Sequence, residues 1–327
     1  MLSIGRRLCL VAAAALTLLQ AAPRTGTAAD LRELILDWAF YNPVSLVLKD
    51  QGLVEAAFAD DGISIRWVQS HGSNKALEFL SADAIHFGST AGAAALVGRI
   101  NGNPIKSIYV YSRPEWTALV TAADSGIESV ADLAGKSVAV TRGTDPHIFL
   151  MRALADAGLS DRDVRFVLLQ HADGRAALLR GDVDAWAGLD PMMASAELED
   201  DARLFFRNAA ANTWGILNVR EEFAAAHPDI IERVLAVYEQ GRKWALEHPD
   251  DLAELLAREA RIPLEVARKQ LEERTELTHN RLAAEQRASI LEAGLALQSA
   301  GVVDAAVDVE AVLDSLLDPS FAKVLGN

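Results

Sequence analysis

The sequence predicts two α/β lobes facing each other across a ligand cleft, followed by a C-terminal helical tail. Three observations carry that expectation. From Asp30 onward short β-rich runs alternate with helical stretches, the pattern of layered α/β sheets with mostly parallel strands. After Arg220 the pattern turns almost wholly helical. The chain has 327 residues, more than one domain of roughly 100–150 residues usually holds, and no tandem repeat or polar low-complexity tract accounts for the excess.

Taken in order, residues 31–38 read as the first strand, 43–58 as a helix, 63–68 as a second strand and 74–80 as a helix. Strand 85–88 runs into Ser89-Thr90, and a small-residue helix at 91–97 and a strand at 105–112 complete one open sheet. A second βα series begins with a strand at 116–122, a short helix at 130–134 and, after the Gly135-Lys136 turn, a strand at 137–141. It continues through helix 146–157, closed by Gly158, strand 164–169, helix 174–179 and strand 183–187, and it finishes with runs 203–206 and 214–219. In the tail, Ile230, Val234 and Tyr238 share one helical stripe, and Pro228, Pro249 and Pro263 stand at helix starts. This reading gives lobe 1 residues 30–114 and 218–327 and lobe 2 residues 115–217, with the tail packed back on lobe 1 and crossovers near 113–116 and 212–219.

Arg6 and Arg7 ahead of an apolar run at 8–19, then the small triplet Thr27-Ala28-Ala29, read as a signal peptide over 1–29 cleaved before Asp30. A run of twelve apolar residues is too short for a ~30 Å hydrocarbon core, so the mature chain is expected to be free of the membrane. The surroundings of Arg6-Arg7 favour the general secretory route over twin-arginine export. Cleavage removes Cys9, the only cysteine, so the mature chain carries no disulfide. It also leaves 28 basic against 46 acidic residues, a net charge of −18 over 298 residues. Nucleic acid is excluded by that charge, and an anionic ligand must be held by local groups because salt screens the overall field beyond ~8 Å. No G-x-S-x-G, H-E-x-x-H or G-x-x-x-x-G-K-[ST] signature occurs, and His71, His86, His147, His171, His227, His248 and His279 form no metal-ligand spacing. Neither a cofactor nor a metal is implied.

Open α/β sheets bind ligands outside the carboxyl ends of their strands, so the candidates are sought there. Ser89 and Thr90 follow a strand and precede a helix, where they read either as part of an anion site or as a plain N-cap. Gly143 and Thr144 repeat that arrangement in the second lobe, with His147 in the first helical turn as a neutral hydrogen-bond donor or a structural histidine. Trp186 reads as a stacking platform or as core, and Asp190 as the cap of the next helix. Trp116 and Trp214 fall near the crossovers, and Tyr41-Asn42 follows the first strand.

At Phe87-Gly88-Ser89-Thr90, at Val130-Ala131-Asp132-Leu133-Ala134-Gly135-Lys136, at Gly143-Thr144 to His147, and from Gly181-Asp182-Val183-Asp184-Ala185-Trp186 through Asp190-Pro191, the sequence resembles the periplasmic solute-binding proteins of ABC importers for aliphatic sulfonates, taurine and nitrate. Order and spacing hold over roughly residues 31–245. The resemblance implies a type II periplasmic binding protein fold acting as a monomer and closing over a small anionic organosulfur ligand. It also implies an ABC permease and its ATPase as partners, sulfur acquisition as the purpose, and the cleft residues just named as the ligand contacts. Two departures stand out. Asp145-Pro146 replaces an Asn-Val pair, adding a charge and removing a backbone donor, and Leu189 stands where a second Trp is common. A sulfate ester or a sulfonate with a bulkier organic part therefore fits as well as taurine. Nitrate and a thiamine precursor are the other ligands of this scaffold, and a cleft enzyme with His147 and Asp190 as acid and base is the alternative in kind.

Overall fold

The computed structural model describes residues 31–325, so the signal-peptide reading of residues 1–29 lies outside the described residues. The chain opens with β1 (Glu33–Trp38), whose central residues Leu34 to Asp37 are buried, as befits a strand covered on both faces. Asn42 then caps α1 (Pro43–Asp50) by accepting from Ser45 N at 3.2 Å, with Pro43 at the first helical position. The expected helix 43–58 breaks at Gly52, and α2 (Leu53–Phe58) restarts it before β2 (Ser64–Gln69), α3 (Ser73–Ser81), β3 (Phe87–Ala91), α4 (Gly92–Ile100) and β4 (Ile105–Pro114).

The second sheet is built from β5 (Leu119–Thr121), β6 (Ser137–Val140), α5 (Asp145–Asp156), β7 (Arg165–Leu168), α6 (His171–Leu179), β8 (Ala185–Ala187), α7 (Met192–Glu199) and β9 (Arg203–Phe206). After β10 (Gly215–Arg220) come α8 (Glu221–Ala226), α9 (Pro228–Glu247), α10 (Pro249–Ala260), α11 (Leu264–Arg274), the two-residue β11 (Thr275–Glu276), α12 (Ala284–Ser299) and α13 (Val309–Leu316). The tail is helical as expected.

Strand order is β11-β4-β10-β3-β1-β2 in the first sheet and β7-β6-β8-β5-β9 in the second. The run at 214–219, read from sequence as the end of the second series, belongs instead to the middle of the first sheet. There β10 pairs antiparallel with both β3 and β4, Leu217 lying opposite Ser89 on one side and Tyr109 on the other. A five- or six-residue apolar run carries no information about its partner, and β10 is chosen by the gap between two strands whose other faces are already covered. Each sheet carries its own apolar core. Leu36, Phe87, Ile216 and the tail residues Ile231, Val234 and Tyr238 form the first, while Leu119, Val138 and Phe149 lie on one side of the second sheet with Val120, Trp186 and Met193 on the other.

The chain passes between the sheets twice, after β4 and before β10, and β11 closes the edge of the first sheet by pairing with the end of β4 at Pro114 and Arg113. Arg274, just before β11, is 3% exposed and reaches Asp190 at 3.1 Å and Glu197 beyond it. So α11, a helix of the tail, is anchored on the second sheet's helix α7 and not on the first core alone.

Candidate functional site

Four strand ends meet around one cavity of about 500 Å³, lined by Phe40 and Tyr41 after β1, Ser70 and His71 after β2, Gln170, His171 and Ala172 after β7, and Leu189 to Met192 after β8. Lys75 and Phe79 of α3 and Ala260 and Ile262 of the α10–α11 turn complete its wall. A recess of about 10 Å³ adjoins it, sharing Tyr41 and Leu189, and is lined by Ser73 at the start of α3, by Thr144, Asp145 and Pro146 at the start of α5, and by Trp116.

Three helices begin here, and none is capped by its own N-cap side chain: α3 after Gly72, α5 after Thr144 and α6 after Gln170. Their first-turn amides and the positive ends of their dipoles favour an anion. Several buried polar atoms beside them have no partner among the described residues: Ser70 Oγ, Asn74 Oδ1, Gln170 Oε1 and both ring nitrogens of His171. Buried polar atoms without partners cost ~1–3 kcal/mol each and are rare in folded proteins, so this concentration along facing loops marks a site shaped for a polar ligand. His171 is 2% exposed, and burial alone pushes its pKa down to about 3, so the imidazole is neutral at physiological pH.

Gly72 is a point of close approach between the two sides. Its φ of 150° favours glycine, and a Cβ there would lie 2.8 Å from Asn74 Oδ1 and 3.0 Å from His171 Nε2. We expect Gly72→Ala to push the α3 and α6 starts apart, to weaken ligand binding about tenfold and, because alanine is strained at that φ, to lower the unfolding midpoint of the free protein by a few degrees. Calorimetric titration beside a thermal melt checks this, and unchanged affinity would mean that the α3–α6 approach plays no part in binding.

The carboxylate of Asp145, at the start of α5, is fully engaged by neighbouring donors. Its carboxylate accepts from Trp116 Nε1 at 2.9 Å, from Thr213 N at 3.0 Å and from Thr213 Oγ1 at 2.6 Å. Thr213 Oγ1 in turn accepts from Ala93 N at 3.0 Å and so caps α4 from the crossover. One carboxylate thereby ties the second-sheet helix α5 to both crossing segments. Asp190 is similarly occupied: its Oδ1 caps α7 through Ala194 N at 2.9 Å, and Arg274 faces it, although burial still raises its pKa to about 6.

Of the residues singled out in the sequence, Tyr41, Trp116, Thr144 and Asp190 line the cavity or its recess. Asn42 lies beneath them, its Nδ2 donating to Ser89 Oγ at 2.7 Å. Six others sit elsewhere. Ser89 and Thr90 are fully buried inside β3. Ser89 donates from its N and Oγ to Asp37, each at 2.8 Å, and Thr90 Oγ1 accepts from Asn218 at 2.8 Å. The helix after them starts at Gly92 and is satisfied by Thr213, so no open N-terminus remains there. Trp186 is buried in the second core against α6, where a Cβ on Gly174 would come within 2.7 Å of its Nε1. Trp214 packs beneath the Arg113 guanidinium, 5.3 Å from the ring centre, and beside His279. His147, with Gly143, faces a separate cavity of about 790 Å³ between α4, α5 and α12, so it and Asp190 form no acid–base pair.

Sequence reasoning missed Ser70, Asn74, Gln170 and His171. The signal was available: the rule that ligands meet strand carboxyl ends applies to β2 and β7 as much as to β3 and β6. Helix α6 was read from Gly174, whereas it begins at His171, three residues earlier, which is what brings the imidazole to the helix start.

His86 and His147 are also held down at about 4 by burial, and Ile35 N donates to His86 Nδ1 at 3.1 Å. A histidine whose folded pKa lies below 6.5 stabilises the fold above that pH and loses the contribution as the pH falls toward the folded value. Asp37 and Asp190, both raised to about 6, act with the opposite sign between about pH 4 and 6. Asp145, also raised by burial, acts in the same sense as those two, but the histidine losses set in already near pH 6.5, so ligand-free stability should fall as the pH drops below 7. His171→Gln should flatten that fall, as denaturation midpoints across pH would record, and an unaltered slope would mean that His171 is not buried in its neutral form.

Residues 57–252 match the family model described as NMT1/THI5 like. A protein of Escherichia coli K12 named as aliphatic sulfonates-binding is 30% identical over 74% of this chain and 76% of its own length. One of Bacillus subtilis 168 with the same name is 27% identical, and the match spans 64% of each chain. Among solved structures, the alkanesulfonate-binding protein SsuA of Xanthomonas axonopodis pv. citri, bound to MOPS, superposes with a TM-score of 0.80 at 23% identity, over 89% of this chain and 99% of that one. The desulfurization enzyme DSZB shares the fold at a TM-score of 0.65 and 16% identity, over 89% of this chain and 97% of that one.

Proposed function

The chain belongs to the NMT1/THI5-like family, and from that premise we propose that it is the periplasmic substrate-binding component of an ABC importer. In this reading it captures an organosulfonate or sulfate ester and hands it to a membrane permease and its ATPase for sulfur acquisition. Lobes 30–114 with 218–327 and 115–217 close on the ligand, and export with cleavage before Asp30 places the mature chain in the periplasm. The observation that carries the reading is the meeting of three uncapped helix starts with the unpartnered polar atoms of Ser70 and His171. A sulfonate offers three acceptor oxygens and one negative charge, which amide, hydroxyl and imidazole donors hold without a buried cation. In this arrangement Tyr41, Ser73, Trp116 and Thr144 surround the head group, and Ser70 and His171 donate to it. Relatives named as binding proteins support binding over turnover, as does the engagement of Asp190 with Arg274.

The test is a thermal-shift and calorimetric screen of the mature chain against pentanesulfonate, an aryl sulfate, nitrate and a thiamine-precursor pyrimidine, followed by mass analysis of the recovered ligand. One-to-one binding of a sulfonate or sulfate ester recovered intact is expected. Binding of nitrate or the pyrimidine alone, or recovery of cleaved product, would overturn the proposal.

A further inference from the structure

Resting on that reading, we propose that the ligand is a sulfonate with a large apolar tail, a long alkyl chain or an aromatic ring system, and that the α10–α11 turn is the wall that selects it. The polar atoms of the site lie along the facing loops at Ser70, Asn74 and His171. The remainder of the 500 Å³ cavity is walled by Phe40, Phe79, Leu189, Met192, Ala260 and Ile262. A two-carbon sulfonate such as taurine would leave most of that wall uncovered. Its ammonium group would also find no free carboxylate among the described residues, because the one carboxylate of these that lines the cavity, Asp190, is already paired with Arg274. Lys75 is likewise paired with Glu78 at 2.6 Å.

Phe79, Leu189 and Met192 of this wall lie within the stretch that matches the family model, which runs from 57 to 252, whereas Phe40 and the α10–α11 turn with Ala260 and Ile262 lie outside it. Arg261 ends α10 with a left-handed φ of 55°, a conformation that a side-chain-bearing residue keeps only where its surroundings enforce it. Ile262 N bonds back to Ala257 O at 3.1 Å, setting Ile262 against the cavity. From α11, Gln270 Nε2 donates to Phe40 O at 2.9 Å, so the turn and the β1 loop are held by the same tail helices. A preformed apolar wall with a polar end is the arrangement that rewards each added carbon.

The experiment titrates the mature chain and its Ile262→Ala variant calorimetrically with taurine, ethanesulfonate, octanesulfonate, 2-naphthalenesulfonate and octanoate. Each methylene that leaves water is worth about fourfold in affinity, so octanesulfonate and the naphthalene compound should bind at least a hundredfold tighter than ethanesulfonate, and taurine no tighter than ethanesulfonate. Ile262→Ala should weaken octanesulfonate about four- to tenfold and leave ethanesulfonate unchanged. Ethanesulfonate or taurine binding as tightly as octanesulfonate, or an equal loss for short and long sulfonates in the variant, would overturn the inference while leaving the sulfonate reading intact. Octanoate matching octanesulfonate would do the reverse, upholding the apolar tail and overturning the sulfonate head group.

Discussion

Replacing Arg274 by methionine is expected to lower the unfolding free energy by about 3–5 kcal/mol, because it strands Asp190 and part of Glu197 in the interior. The guanidinium and the Asp190 carboxylate are both essentially unexposed, at 1% and 0% of their side-chain surface, and lie 3.1 Å apart. Methionine fills much of the same volume, so the loss reports the unpaired charge and not a cavity. The pH dependence identifies the cause. Asp190 already has its pKa raised to about 6 by burial with Arg274 present, and without that partner it rises further. A carboxyl whose folded pKa exceeds its unfolded value stabilises the fold at low pH and loses that contribution as pH rises through the folded value. The deficit of the variant should therefore be smaller at pH 5 than at pH 8, and denaturant melts at the two values measure it. A deficit under 1 kcal/mol at pH 8 would mean that the pair is not closed in solution.

His171→Phe should weaken ligand binding about tenfold to a hundredfold while making the ligand-free protein more stable by ~1 kcal/mol or more. The two effects share one origin. Both ring nitrogens are buried with no partner, which costs free energy in the unliganded fold. A hydrogen bond to a charged ligand is worth ~1.5–3 kcal/mol, and the conversion to affinity gives the stated range. Phenylalanine keeps the ring's shape against Gly72 and removes the polar atoms. Opposed changes in stability and affinity are what a binding residue produces, whereas a structural histidine would lose stability on the same change. Thermal melts and calorimetric titration with octanesulfonate provide both readings, and a destabilised variant with wild-type affinity would remove His171 from the site.

The crossing segments show how a residue read as a liability in the sequence acquires another role. Asp145, judged only by its position at a helix start, places a negative charge where an anion is expected. In the fold its carboxylate is spent on Trp116 and Thr213, and Thr213 caps α4. The positive end of α5 is thus kept for the recess lined by Thr144 while its acidic residue braces the crossing segments.

The sequence alone determined the alternation of strands and helices, the two sheets and the helical tail, because periodicity and turn residues are local properties of the chain. It also brought Tyr41, Trp116, Thr144 and Asp190 to attention by the same local rules. Tertiary structure decided which strand neighbours which, placing β10 between β3 and β4 and so burying Ser89 and Thr90 under Asn218 and Asp37. It decided that Trp186 is core and that His171, unremarkable in the sequence, ends in the cavity without a partner. It also brought Arg274 to Asp190 and Ile262 to the cavity wall, from 84 residues along the chain in the first case. Such partnerships are fixed by which surfaces remain uncovered once the sheets close, and that depends on the whole chain at once, not on any window of it.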